Sequence, residues 1–317
     1  MIRVAVLDDY MKVALKCADW SLLSNGVQVQ IFHHYLGNED AVAEALLEFE
    51  VLVVMRERTA FPASLLQRLP NLQLLVTTGM RNLSIEMDAA RAQGIDVCGT
   101  QMLSYPAFEH AWALILGLAK NIAREDRMMH EGGWQHDATS GLNGRTLGVM
   151  GLGRLGSQAA RVGKAFEMNV IAWSQNLDDE RAAEVGVTRV DKETLLAESD
   201  FLTIHQILSD RTRGLVGAAE LAQMKPAAYL INTSRGPIVD EAALVDALRD
   251  RRIAGAGLDV FDVEPLPADH ALRSLDNVLL TGHTGYSTRE AFDVMYPQCV
   301  EAVRAWIDRD PVRVLNG

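Results

Sequence analysis

The sequence has few cysteines and no long hydrophobic run. Only three of its 317 residues are cysteines, and none has a partner at C-x-x-C spacing: Cys17, Cys98 and Cys299. An odd, scattered set of this kind is typical of free thiols in a reducing compartment and not of a disulfide framework. The longest apolar stretch, AWALILGLA, has about half the length that a bilayer-spanning helix needs. The sequence therefore argues against a disulfide-rich secreted domain and against an integral membrane protein.

Positive charge is also scarce. Acidic residues outnumber lysine and arginine by 42 to 30, so the formal net charge is −12. Because no basic block offsets this charge, a nucleic-acid-binding surface is not expected, and an anionic ligand has to be held by a local site. The N-terminal MIRVAVLDDY lacks the basic region, the long apolar region and the cleavage site of a signal peptide. We expect a cytoplasmic protein that binds neither nucleic acid nor membrane.

Short apolar runs alternate with helical patterns along the whole chain. In the first hundred residues the predicted strands are RVAVLD, VQVQIF, VLVVM, LQLLVTT and IDVCG. A second series runs from TLGVM through NVIAW, DFLTIH, AYLIN and AGAGLDV to NVLLTG. Strands that alternate with helices form parallel sheets through right-handed crossovers. We predict an α/β protein with two Rossmann-like or flavodoxin-like domains and an active-site cleft between them.

Two helical segments, residues 106–130 and 287–308, connect these two series. Neither series contains a low-complexity linker, so the chain passes from one domain to the other within helices. The second segment leads back to the first series. The predicted domains are therefore residues 1–103 together with 288–317, and residues 104–287.

A glycine-rich turn follows the strand TLGVM. Its motif, Gly151-Leu-Gly153-Arg-Leu-Gly156, opens a predicted helix, which is the context that a dinucleotide-binding turn requires. Gly151 permits the tight turn, Gly153 lets a pyrophosphate approach the backbone, and Gly156 lets the helix pack closely on the strand. The exposed amides and the positive end of the helix then hold the phosphates. We predict a dinucleotide-binding turn that also includes Arg154 and Leu155.

The tip of the next strand carries no acidic residue. The run VIAWSQN places Ser174, Gln175 and Asn176 where an Asp or Glu binds the ribose 2′-hydroxyl of NAD and repels the 2′-phosphate of NADP. Ser174 and Asn176 are both able to hydrogen-bond a phosphate. No Arg or Lys follows directly at the tip. The predicted cofactor is NAD or NADP, and the sequence leaves the preference open.

Three later motifs place polar residues after predicted strands. Arg235 lies in INTSRGPIVDEAAL, Glu264 in GAGLDVFDVEPLP and His283 in LLTGHTGYS. The carboxyl ends of strands in a doubly wound sheet face the ligand crevice, so these side chains can converge. Together with GLGRLG and FLTIHQILSDRTRGLV, these motifs occur in an order that resembles the D-isomer-specific 2-hydroxyacid dehydrogenase family. The resemblance covers nearly the whole chain.

The resemblance implies hydride transfer between NAD(P)H and the C2 carbonyl of a small 2-oxo acid. By the family's pattern Arg235 anchors the substrate carboxylate and 2-oxo group, His283 is the acid–base residue, and Glu264 orients His283. The chemistry agrees, because imidazole exchanges protons near neutral pH. A guanidinium also binds a planar carboxylate through paired hydrogen bonds that an ammonium group cannot reproduce.

The same resemblance assigns the remaining site residues. Substrate contacts are expected from a loop after the fourth strand, from an arginine after the third strand and from an aromatic ring near the acid–base residue: Thr78, Gly79, Met80, Arg56 and Tyr286. The cofactor pocket is expected to include three further residues: His205, Thr233 and Asp259. For His205 we expect a structural role and not a chemical one.

Two positions depart from the family's pattern. Ile207 stands where a proline is common, and Gly282 replaces the usual proline before His283, so the loop that carries the acid–base residue is expected to be more flexible. No metal site is predicted, since the histidine pair at 33 and 34 lacks metal-ligand spacing. The helical stretch 105–134 is expected by the resemblance to form a homodimer interface around the cofactor domains.

Other functions stay open at this point. A phosphoglycerate-type activity would use Arg56 as a phosphate contact. A dinucleotide-sensing corepressor of the same family keeps the Arg, Glu and His set, so the motifs alone do not exclude it. Oxidation of formate is disfavoured, because that branch carries Gln where Glu264 stands.

Overall fold

Two α/β units make up the computed structural model, which describes residues 1–23, 26–135 and 137–317. One unit is discontinuous and comprises Met1–Leu103 and Ser287–Gly317, so its second segment begins one residue before the predicted boundary. The other, the central unit, comprises Ser104–Tyr286. Each unit contains a sheet whose strands are all parallel, which confirms the predicted α/β class.

The sheet of the discontinuous unit has the strand order β2-β1-β3-β4-β5. Its strands are β1 (Ile2–Val6), β2 (Val27–Ile31), β3 (Val51–Val54), β4 (Leu74–Thr77) and β5 (Asp96–Gly99). Its helices are α1 (Ala14–Cys17), α2 (Glu39–Leu46), α3 (Ala63–Leu66), α4 (Met87–Ala92) and, last in the chain, α12 (Arg289–Ile307). This order turns back on itself between β1 and β3, and in open α/β sheets such a point marks the ligand crevice.

The last segment of the chain completes the discontinuous unit. Met295, Tyr296 and Cys299 of α12 are fully buried, and this helix packs on β4 and β5. Beyond it, the N–H of Leu315 donates to the carbonyl of Val97 at 2.7 Å. The returning helix therefore supplies part of the core that the first hundred residues need.

The central unit contains a sheet with the order β12-β11-β10-β9-β6-β7-β8. Its strands are β6 (Thr146–Met150), β7 (Asn169–Trp173), β8 (Thr188–Arg189), β9 (Phe201–Ile204), β10 (Tyr229–Asn232), β11 (Gly255–Leu258) and β12 (Val278–Leu280). The helices are α5 (Pro106–Ala119), α6 (Ile122–His130), α7 (Arg154–Ala165), α8 (Asp179–Val185), α9 (Lys192–Glu198), α10 (Ala218–Leu221) and α11 (Glu241–Arg249). The order reverses between β6 and β9.

Both faces of this sheet are covered, which explains why its strands are continuously apolar. Successive residues of β10 show this, since Leu230 packs in the cluster on one face and Ile231 in the cluster on the other. Side-chain caps fix where several helices begin, as at Asp178, Asp191 and Asp240, whose carboxylates accept N–H groups of the first turn.

One predicted helix, residues 106–130, is divided into two. Helix α5 ends at Ala119, and Asn121 adopts a left-handed conformation with φ of 51° before α6 starts. Asparagine tolerates this region better than most residues, because its short amide bonds locally. The predicted helical segment therefore consists of two helices joined at Lys120 and Asn121. No helix formed by the described residues is both long and apolar enough to cross a bilayer.

Candidate active site

The carboxyl edge of the central sheet collects the residues that the motifs singled out. Because every pairing is parallel, all strands end at this edge. Each predicted residue follows a strand there: Gly151 after β6, Ser174 after β7, His205 after β9, Thr233 and Arg235 after β10, Asp259 and Glu264 after β11, and His283 after β12. The glycine turn and His205 flank the point where the strand order reverses.

A histidine–carboxylate pair lies at this edge. Nδ1 of His283 is 2.6 Å from Oε2 of Glu264, and Oε1 of the same carboxylate accepts the backbone N–H of Phe261 at 3.0 Å. The carboxylate is therefore held at both oxygens. Because this carboxylate only accepts hydrogen bonds, Nδ1 of His283 carries the proton of the bond between them.

The loop that carries His283 is clamped by Asp259. The N–H of His283 donates to the Asp259 carbonyl at 2.7 Å, and the N–H groups of Thr284 and Gly285 donate to the two carboxylate oxygens, each at 2.8 Å. Burial opposes the charge of Asp259, but hydrogen bonds from His110, Thr281 and Thr284 outweigh burial and hold its pKa below the usual value. Asp259, which the sequence placed in the cofactor pocket, thus directs its carboxylate at the loop that carries His283.

His283 itself has a strained backbone, with φ of 54°. For a residue with a Cβ this left-handed region costs roughly 1–2 kcal/mol. The ring of Tyr286, predicted to contact the substrate, packs edge-on against the imidazole with the centroids 6.1 Å apart. The loop is therefore held in an unfavourable conformation by its surroundings.

Arg235 follows β10 directly, on backbone that side chains fix. Asn232 donates its amide to the Arg235 carbonyl at 2.9 Å, and Ser234 donates its hydroxyl to the Ile204 carbonyl at 2.7 Å. Nη1 of Arg235 donates to the Ser234 carbonyl at 2.7 Å, and the residue is half-buried. Nη1 of the guanidinium is thus anchored close to its own backbone.

The glycine turn has the shape that a phosphate cradle needs. Gly151 has φ of 104°, and a Cβ there would lie 2.6 Å from the His205 carbonyl oxygen. A Cβ on Gly156 would lie 1.9 Å from the Gly151 carbonyl oxygen, whereas one on Gly153 would meet nothing within 4 Å. Two glycines are therefore required by packing, and the third faces open space at the N-terminus of α7. This arrangement fits a bound dinucleotide, with Arg154 and Leu155 in the first helical turn.

The turn after β7 contains Ser174, half-buried, and Asn176, exposed. Beside it stands a cation that the motif search missed, because it lies on β8. Nε of Arg189 donates to the Leu177 carbonyl at 2.7 Å, and Nη1 is 3.3 Å from Asp179. Only the sheet order, which makes β8 the neighbour of β7, reveals this arginine.

His205 is neutral near pH 7. Burial lowers its pKa to about 4, and its Nε2 lies 3.0 Å from the hydroxyl oxygen of Thr203. An uncharged, internally bonded imidazole is a poor proton donor, so a structural role stays our prediction for His205.

The discontinuous unit positions the four residues predicted to contact substrate. Oγ1 of Thr78 accepts the N–H of Arg56 at 3.0 Å. The amides of Thr78 and Gly79 already donate within the unit, to the Val54 carbonyl at 3.1 Å and to Oγ1 of Thr100 at 2.9 Å. The side chain of Met80 is 52% exposed. Two of the three backbone N–H groups of this loop, those of Thr78 and Gly79, are therefore engaged by the protein itself.

The Arg56 guanidinium has close neighbours of its own. Nη2 lies 3.5 Å from the carboxylate of Glu57, and Nη1 lies 2.6 Å from the sulfur of Met102. Both side chains of the Arg56–Glu57 pair are mostly buried. The acidic Glu57 therefore lies beside Arg56, the residue that a phosphoglycerate-type activity would use to contact phosphate.

A polar cluster that the motif analysis missed lies where β1 and β3 end. The hydroxyl of Thr59 donates to Asp8 at 2.8 Å, Nη1 of Arg58 donates to the Asp8 carbonyl at 3.2 Å, and this guanidinium lies 5.1 Å from the ring centre of Tyr10. Burial raises the pKa of Asp8. The only signal in the sequence is the acidic pair that ends the first apolar run.

The described residues contain no group of His, Cys, Asp and Glu side chains that could hold a metal ion. A family model, described as D-isomer specific 2-hydroxyacid dehydrogenase, NAD binding domain, matches residues 112–285, more than half of the chain. The chain belongs to this family. The resemblance seen in the motifs is confirmed, and so is the expectation of a nicotinamide dinucleotide cofactor, NAD or NADP.

Several relatives of this dehydrogenase family are similar over most of the chain. A D-3-phosphoglycerate dehydrogenase of Archaeoglobus fulgidus is 39% identical over 84% of this chain and 51% of its own length. A glyoxylate reductase of Aeropyrum pernix is 41% identical over 71% of this chain and 70% of its own. The crystal structure of a phosphoglycerate oxidoreductase from Vibrio cholerae has 32% identity and a TM-score of 0.92, covering 98% of this chain and 100% of that one. The chain thus spans about half the length of the Archaeoglobus relative.

Proposed function

We propose that this protein is an NAD(P)-dependent D-2-hydroxyacid dehydrogenase that acts on a small 2-oxo acid, or on its 2-hydroxy form in reverse. The observation that carries the proposal is the 2.6 Å contact between His283 and Glu264, at the sheet edge that also bears the glycine turn and Arg235. When bound, the reduced cofactor supplies the hydride. The residues of the chain then bind the acid, orient it and provide the proton.

In this proposal His283 is the acid–base residue. With Nδ1 bonded to Glu264, Nε2 delivers its proton to the oxygen that would otherwise become an alkoxide. The carboxylate stabilises the imidazolium and fixes the orientation of the ring. In the opposite direction Nε2 accepts the hydroxyl proton.

Arg235 binds the carboxylate and the 2-oxo group. Its planar fork matches two oxygens through parallel hydrogen bonds, and this local cation is needed because the net charge of −12 does not attract anions. When Arg235 holds the substrate carboxylate, the substrate carbonyl is fixed relative to His283, so the same contact both binds and orients the substrate.

The dinucleotide is held by the turn from Gly151 to Gly156 and by the N-terminus of α7. Ser174, Asn176 and the neighbouring Arg189 stand where the adenosine ribose is expected, and position 174 carries no acid to repel a 2′-phosphate. NADP is therefore admissible in this proposal as well as NAD.

Ser174→Asp is expected to weaken NADPH binding roughly tenfold more than NADH binding, a difference of about 1.4 kcal/mol, since a carboxylate at this position repels the 2′-phosphate. Fluorescence titration of both cofactors measures this ratio. Asn169→Asp adds the same charge at the other end of β7 and serves as the control. Equal losses for the two cofactors in Ser174→Asp would contradict the account.

A non-phosphorylated substrate is favoured over a phosphorylated one. Glu57 lies 3.5 Å from Arg56, and an adjacent carboxylate repels a phosphate dianion. The phosphoglycerate-type activity stays the second candidate, because a relative with 39% identity bears that name.

One assay tests the function. Glyoxylate, hydroxypyruvate, pyruvate and 3-phosphohydroxypyruvate are each offered with NADH and with NADPH, and cofactor oxidation is followed at steady state. We expect turnover with higher kcat/KM for a non-phosphorylated acid. A reversed order would assign the phosphoglycerate-type activity. Cofactor binding without turnover of any acid would indicate a sensor protein and refute the proposal.

We further propose that the protein is a cytoplasmic homodimer formed through the central unit. Around α6 three large apolar side chains are more than half exposed: Ile122, Met129 and Trp134. A second copy of the chain would cover them, and the free thiols agree with a reducing compartment. Light scattering should give a mass of twice 34.8 kDa, and a monomer mass at micromolar concentration would contradict the dimer.

A further inference from the structure

His110, in the first half of α5, touches the loop that carries His283. Its Nε2 lies 2.8 Å from the hydroxyl oxygen of Thr281 and 3.3 Å from Oδ1 of Asp259. Its Cβ and Cδ2 lie 3.6 Å from the place that a Cβ on Gly285 would occupy. A helix that is distant in sequence therefore encloses this loop from the side.

The hydrogen bonds between these residues can have only one direction. Thr281 gives its single hydroxyl proton to the carboxylate of Asp259 at 2.6 Å, since a carboxylate only accepts. The Thr281 oxygen must then accept from His110, so Nε2 of His110 carries a proton. The result is an ordered chain from His110 through Thr281 to Asp259.

This chain ends on the backbone around His283. Asp259 accepts the N–H groups of Thr284 and Gly285 through its side chain and that of His283 through its carbonyl. His283 needs this support because its φ is 54°. The preceding residue, Gly282, has no side chain that could support the loop. Even a Cβ at this position would contact nothing within 4 Å.

We propose that His110 is a positioning residue for His283, acting through Thr281 and Asp259 to hold the acid–base loop in its left-handed conformation. The inference rests on the proposed function, in which His283 exchanges the proton. Glu264 orients the ring of His283, whereas the His110 chain orients its backbone. The two devices are therefore separate.

Kinetics of three variants test the role. His110→Ala should lower kcat about 10- to 100-fold, because small misplacements of a reacting group cost up to about 10², while the KM for the cofactor stays the same. His110→Gln, whose amide also donates, should restore most of the loss. Thr281→Val should lower kcat less than His110→Ala, because Nε2 of His110 also lies 3.3 Å from Oδ1 of Asp259, and the double variant should lose little more than His110→Ala, since both changes act on the same contacts. Glu109→Ala, the exposed neighbour on α5, is the control.

Two measurements do not depend on activity. Nitrogen-15 spectra of histidine-labelled protein should show His110 protonated at Nε2, and hydrogen exchange of residues 280–288 should speed up in His110→Ala at unchanged exchange of β6. If the wild type turns over no 2-oxo acid, the proposed function fails, and these two readouts still decide whether His110 holds the loop. Three results would overturn the inference. The first is a hydrogen-exchange rate of residues 280–288 in His110→Ala equal to that of the wild type. The others are a kcat of His110→Ala within about twofold of the wild type, or a kcat of His110→Gln as low as that of His110→Ala.

Discussion

His283→Ala is expected to lower kcat for 2-oxo acid reduction by about 10²- to 10⁴-fold, the usual contribution of a positioned acid–base group. The imidazole is held by Glu264 at 2.6 Å on a loop that is bonded at consecutive amides, so its removal takes away a positioned acid–base group. The Kd for the cofactor should change little, since His283 lies after β12 and the glycine turn after β6. Steady-state kinetics and cofactor titration measure the two quantities.

His34→Ala is the matched control for this variant. Its side chain is exposed after the end of β2, so the same truncation there should leave kcat unchanged. A His283→Ala variant that keeps near-normal turnover would remove His283 from the mechanism. A loss of cofactor binding equal to the loss of kcat would assign the residue to the cofactor pocket instead.

Arg235→Lys is expected to lower kcat/KM for the 2-oxo acid by about 10²- to 10³-fold, a loss typical of removing a preorganised donor at a reacting oxygen. The positive charge stays, but an ammonium group cannot reproduce the paired geometry that a planar carboxylate requires. The KM for the acid should rise and kcat should fall together, since the same contact binds and orients.

The control for this substitution is Arg249→Lys, on the surface of α11 and paired with Asp246. It should behave as the wild type. Should Arg235→Lys keep its kcat/KM, charge alone would suffice at this position, and the paired contact would have to come from another residue.

Much of the fold follows from one regularity of the sequence. Apolar runs that alternate with helical patterns predict parallel strands, and polar residues directly after such runs fall at one sheet edge. Glu264 and His283, 19 positions apart, are brought within hydrogen-bond distance by this rule. Their side chains follow the adjacent strands β11 and β12, as the motifs indicated.

The contacts that the sequence did not predict join residues that lie far apart in the chain, and local sequence patterns do not encode such pairs. Arg189 lies beside the turn after β7 only because β8 is the outermost strand. Asp259 bonds to amides 25 and 26 residues later in the chain, and His110 reaches Thr281 across 171 positions. Contacts of this kind arise from packing, so motif spacing alone gives no access to them.

The discontinuous unit has a consequence for biosynthesis. Helix α12 buries Met295, Tyr296 and Cys299 in it, so its core stays incomplete until the ribosome has translated past residue 307. The central unit is a single uninterrupted segment, Ser104–Tyr286, and domains generally fold as units while the chain emerges. In the nascent protein the central, dinucleotide-binding unit should therefore fold first, and residues 1–103 should complete their folding only after α12 has been synthesised.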